Sequence, residues 1–379
     1  MEINLKPQIN VENKIKYSIG RRDLNAENHW IELDDSFKVT KPCVICLGGN
    51  GTFEPSDANH YCKMVENLIG LKQRTDNATT QRIKENRKDG KENVDFKETH
   101  VYENVDLIGI SYGRQTSHKE MLSEKEISNL VETLLLPLCL DKNSRKLPID
   151  TACKNVSMVT FFTHCQGAEE LNNITKNFRS RLLNLGYSLQ EAHDIISASL
   201  HISYASATFD AWQPTIRIDS LEDNTNPIIY KTFKESYAYD KTNGIDINLF
   251  KAGKLNDIDV NTKNETIEIL TSKLLNKLAP WMDGDELDEH ETKFLERNSE
   301  WQLISTLSNQ SPNANAVSQM MAYAFAVSVN NSIENYFSKN YIKKPEFSHV
   351  LRELQGIKSM FSEKDLRVKG RQHELTPRI

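Results

Sequence analysis

Val156 to Ala168 (VSMVTFFTHCQGA) constrains this chain more than any other stretch. Val156, Met158, Val159, Thr160, Phe161 and Phe162 form a nearly unbroken apolar, β-branched run. That is the pattern of a strand covered on both faces of a parallel sheet. Helical sequence begins right after Thr163-His164-Cys165-Gln166-Gly167, so the strand turns sharply into a helix with a thiol at the apex. Such a turn strains its apical residue and favours small neighbours. Gly167 is one, whereas Thr163 and Cys165 stand where the usual pattern has Gly and Ser.

The flanking sequence supplies partners for such a strand. Residues 13–19 alternate, with Ile15, Tyr17 and Ile19 on one face, and Trp30 to Leu33 forms a second short strand. Lys41 to Leu47 is continuous and apolar and runs into Gly48-Gly49-Asn50-Gly51-Thr52, followed by helical spacing over 57–69. Residues 71–98 are a charged excursion. A strand over 105–110 precedes Ser123, whose Glu126 completes a capping box. Two helices fill 168–199, and strands are expected at 201–207, 227–233 and 245–250. From 264 onward the chain reads as helical, with breaks near Pro280 to Asp285 and Ser311-Pro312. This alternation predicts an α/β fold with a mostly parallel central sheet of about eight strands flanked by helices. Strand 156–163 should lie at its centre. A core over 1–263 should carry a helical C-terminal extension, 264–379, packed on it.

Composition narrows the function classes. Charged residues make up 26% and hydrophobic residues 38% of 379, the balance of a globular chain with a full core. The net charge of −6 gives no electrostatic case for nucleic acid or an anionic membrane surface. Ala314 to Val329, the longest apolar stretch, is broken by Asn315, Ser318, Gln319 and Ser328 and is too short and polar to span a bilayer. The N-terminus lacks the basic start and apolar core of a signal peptide. A cytoplasmic protein is expected, or one delivered by a specialised secretion system without a cleaved signal. The cysteines read as reduced core thiols, since Cys43 and Cys46 point to opposite faces of one strand. Neither a metal nor another cofactor is expected.

A strand pair, a strand with a Gly-rich exit, a helix, a strand ending in a small-residue loop, a helix and then the elbow strand: over residues 13–207 this order resembles the α/β-hydrolase superfamily. The resemblance implies acyl transfer on an ester, thioester or amide, with Cys165 as nucleophile. The N–H groups of Gln166 and of Gly49 or Asn50 would form the oxyanion hole. A helix N-terminus favours the thiolate such a nucleophile needs. Family order places the acid after the sixth or seventh strand, at Asp210 or Asp240, and the base last, at His349 or His290; Asp240 and His349 are taken as the candidates. The partner is then a small-molecule or acyl-type substrate.

Two other readings start from the same residues. The GGNGT turn at Gly48 to Thr52 resembles the GGDGT turn of NAD kinases and diacylglycerol-type lipid kinases, with Asn50 in place of their acidic residue. Alternatively, a hydrolase-like scaffold without catalysis binds a protein partner, and an embellished core with no export signal suits a bacterial effector by analogy.

Overall fold

The computed structural model describes residues 17–34, 36–49, 52, 54–86, 104–112, 122–206, 212–220, 245–252, 264–271, 316–342 and 344–359. Nine strands form one mixed sheet: β1 (Ser18–Arg22), β2 (Trp30–Glu32), β3 (Cys43–Leu47), β4 (Asp106–Ser111), β5 (Val159–His164), β6 (Leu200–Tyr204), β7 (Thr215–Ser220), β8 (Ile245–Ala252) and β9 (Asn264–Thr271). Their order is β2-β1-β4-β3-β5-β6-β7-β9-β8. β4, β3, β5, β6, β7 and β9 are parallel, and an antiparallel strand pair closes one end, an antiparallel β8 the other. β5 is the middle strand, as its two-sided apolar run predicts.

Seven α-helices are described: α1 (Pro55–Asn86), α2 (Glu124–Leu130), α3 (Ile149–Val156), α4 (Gly167–Asn184), α5 (Leu189–Ala198), α6 (Ala316–Phe337) and α7 (Phe347–Ser359). They form a layer on each face, because alternate strand residues need apolar cover on both sides. Val44, Cys46, Phe162, Ile202 and Ile218 pack with α1, α6 and α7. Cys43, Ile45, Phe161 and Val159 pack with α2 to α5. Cys43 and Cys46 therefore do face opposite ways. Phe325 of α6 meets Phe162 edge-on, with ring centroids 5.2 Å apart. Losing either ring would cost about 3–5 kcal/mol. Among the described residues, no helix is long and apolar enough to cross a membrane.

The expected cap at Ser123 is present, and Ser188 supplies another. Ser123 pairs reciprocally with Glu126 at the start of α2, and Ser188 with Glu191 at the start of α5.

Three expectations are corrected. The elbow strand starts at Val159, not Val156, because Ile149, Ala152, Cys153 and Val156 share one face of α3. Val156 ends that helix, and Ser157 and Met158 turn into the strand. Second, β7 lies in a stretch for which no strand is expected. Ile216 and Ile218 alternate with Arg217 and Asp219, so charge on one face hid a buried strand. Third, residues 264–271 are not helical. Ile267 and Ile269 alternate with Thr266 and Glu268, and β9 pairs with both β7 and β8. The boundary at 264 therefore falls at a sheet strand, and helices α6 and α7 pack on the sheet. The strand expected at 227–233 lies outside the described residues, as do the breaks near Pro280 and Pro312.

Candidate active site

β5 ends at His164 and α4 begins at Gly167, so Cys165 and Gln166 turn the chain. Cys165 has a φ of 49°, in the left-handed region that costs a residue with a side chain about 1–3 kcal/mol. Fixed neighbours hold it there. Its N–H donates to the Tyr204 carbonyl at 3.1 Å, and its own carbonyl accepts from the Ala168 N–H at 3.3 Å. Gly167 is required by a close approach: a Cβ there would lie 2.2 Å from the Leu47 oxygen and 2.6 Å from the Gly48 oxygen. α4 thus starts directly against the exit of β3. Of the six cysteines, Cys165 alone is not buried.

Adding that methyl group tests the contact. Gly167→Ala should push the start of α4 off β3 at a cost of about 1–3 kcal/mol. The urea midpoint should fall and Cys165 alkylation should slow together. An unchanged midpoint would show that the two backbones can part without cost.

The registers Leu47↔Thr163 and Thr163↔Ser203 bring the loop after β3 beside the elbow. A Cβ on Gly49 would lie 2.9 Å from Cys165 Cβ. The loop is also tied internally. Tyr112 Oη donates to the Gly48 carbonyl, and Thr52 Oγ1 donates to the Gly49 carbonyl at 2.9 Å. The Gly49 N–H donates to Tyr61 Oη at 3.3 Å, and Tyr61 Oη lies 3.0 Å from His164 Nδ1. Tyr61 Oη thus joins the Gly49 amide to the His164 ring. His164 is buried between Tyr61 and Tyr204, and burial pulls its pKa down to about 3. It is a neutral anchor for the turn.

The expected site residues divide accordingly. Cys165, Gly49 and Gln166 lie together. Gly49 gives its N–H to Tyr61, whereas among the described residues the N–H groups of Gln166 and Gly167 meet no acceptor. These two amides open the first turn of α4. His349 is exposed on α7, which packs on β8 and β9, while Cys165 follows β5; the structure does not bring the two together. Asn50, Asp210, Asp240 and His290 lie outside the described residues. No group of three or more His, Cys, Asp or Glu able to hold a metal occurs among the described residues.

Tyr61, Tyr112 and Glu170 escaped the sequence reading. A signal for Glu170 was available: it shares the buried stripe of α4 with Gly167, Leu171, Ile174 and Phe178, an odd place for a carboxylate. Tyr61 and Tyr112 read as ordinary aromatic core residues. Compared with known proteins, the chain matches no family model and no curated sequence.

Proposed function

We propose that the chain is a hydrolase of α/β-hydrolase type that cleaves an ester, thioester or amide through Cys165. One observation carries this reading. The half-buried thiol sits at a positive-φ elbow between a central parallel strand and a helix, beside the Gly48-Gly49 loop and the Gln166 and Gly167 N–H groups that open α4. The thiolate attacks the acyl carbon, and the Gln166 and Gly167 amides stabilise the oxyanion that develops. The dipole of α4 supports both negative charges. The acid and base rest on family order. β9 is the last parallel strand, and His290, the alternative to His349, follows it in the chain.

Competitive alkylation tests the reading. Iodoacetamide followed by peptide mapping should modify Cys165 well before Cys43, Cys46, Cys62, Cys139 and Cys153, all of which are buried. Labelling of Cys165 no faster than of the buried thiols would favour a scaffold that binds a partner without catalysis.

The kinase-type reading of 48–52 finds less support. The Gly48 carbonyl, the Gly49 carbonyl and the Gly49 N–H are all committed within the protein. A phosphate cradle needs such amides free.

A further inference from the structure

Tyr61 is buried on α1, and three parts of the site meet at its hydroxyl oxygen. The Gly49 N–H donates to it at 3.3 Å, and His164 Nδ1 lies 3.0 Å away. Gly49 belongs to the loop after β3, and His164 ends β5 one residue before Cys165. The phenol ring makes a second contact with the loop. A Cβ on Gly48 would lie 2.3 Å from Tyr61 Cε2, so the backbone there rests directly on the ring. A Cβ on Gly49 would lie 2.9 Å from Cys165 Cβ and 3.1 Å from His164 Nδ1. Close approach to Tyr61 and to the elbow therefore accounts for both glycines. The His164 ring also stacks on Tyr204, with centroids 5.6 Å apart, and the Tyr204 carbonyl accepts the Cys165 N–H.

Resting on the hydrolase reading, we propose that Tyr61 is a positioning residue of the Cys165 site: its hydroxyl, bonded to Gly49 and His164 at once, sets the distance between the loop after β3 and the elbow. Gly49 lies against the Cys165 side chain, so its place fixes one wall of the space where thiol and acyl carbon meet. Tyr61 acts through Gly49 and His164 and moves no proton. Its part is geometric, and a misplacement of about 1 Å costs such a step on the order of 10²-fold in rate.

His164 is the other half of the bridge. It supplies a hydrogen-bond partner through Nδ1 and is not the base of a Cys–His pair. Burial holds the ring neutral, with a pKa of about 3, too weak a base to take a thiol proton.

Kinetics with nitrophenyl acetate on the intact chain test the bridge. Tyr61→Phe keeps the ring under Gly48 and removes the oxygen. It should lower kcat about 10-fold or more and leave KM within about twofold, the mark of lost placement and not of lost binding. The decisive pair lies at His164. Asparagine and leucine are close in size, so both leave much the same space. Asparagine offers a donor or an acceptor near the place of Nδ1, and leucine offers neither. His164→Leu should match Tyr61→Phe, whereas His164→Asn should keep kcat within about threefold of the wild type. A merely structural role would lower the urea midpoint of both His164 variants and leave no difference in kcat between them. Equal kcat losses at His164, or an unchanged kcat in Tyr61→Phe, would overturn the bridge while leaving a Cys165 hydrolase standing. Turnover that survives in Cys165→Ala would remove the hydrolase reading and this assignment together.

Discussion

Cys165→Ala is expected to reduce turnover of any substrate by on the order of 10³-fold or more, with a change in stability within about 0.5 kcal/mol. The separation follows from where the residue sits. Its thiol is partly exposed, so removing it opens no core cavity. Its backbone bonds to Tyr204 and Ala168 survive in the variant. Alanine keeps the unfavourable positive φ, so no relief of strain compensates. On the proposed reading, what disappears is the nucleophile, and the Gln166 and Gly167 amides remain to set the residual rate. Cys165→Ser should also fall sharply, because a hydroxyl needs a stronger base than a thiolate-forming cysteine. Steady-state kinetics with urea melts on the same preparations would check this. An alanine variant with wild-type turnover would move the chemistry away from the elbow.

The centre of the sheet was legible because its strands are apolar on both faces. Cys43–Leu47, Asp106–Ser111 and Val159–His164 read as buried strands, and the elbow followed from the abrupt change to helical spacing. The outer half was harder. β7 and β9 put Arg217, Asp219 and Glu268 on one face, and a buried ionic cluster looks like surface until its partners are known. Helix α3 was lost inside an apolar run, because Ile149, Ala152, Cys153 and Val156 flow into the strand without a polar break. At the site, Cys165, Gly49 and Gln166 could be paired through strand order. The bond from Gly49 to Tyr61, which withdraws that amide from the oxyanion hole, joins residues on different elements, and no local pattern announces it.

Arg217→Met should cost about 3–5 kcal/mol, the usual result of leaving buried carboxylates without their cation. Thr163, Ser203, Arg217 and Glu268 lie in register across β5, β6, β7 and β9, on the face opposite Ile202, Ile216 and Ile267. Arg217 is 3% exposed and Glu268 0%. Arg217 Nη2 and Nε donate to Asp219 Oδ2 at 2.7 and 3.1 Å, and Asp219 Oδ1 accepts the Ser206 N–H at 2.9 Å. Nε also lies 3.1 Å from Glu268 Oε2, but off line, so neither Glu268 oxygen receives a hydrogen bond from a donor N–H. Two carboxyls on one guanidinium leave a negative charge too many for an interior this dry. Burial, opposed by Arg217 and reinforced by Asp219, raises the Glu268 pKa. Glu268 therefore keeps its proton to higher pH than an exposed carboxyl does. A raised carboxyl pKa makes the folded chain bind its proton more tightly than the unfolded chain does. This contribution is complete below the ordinary carboxylate range and is lost as pH rises through the folded value. Glu268→Gln should flatten that alkaline decline while matching the wild type at mildly acidic pH. Urea midpoints across pH would decide: parallel curves for wild type and Glu268→Gln would mean that Glu268 is ionised in the fold.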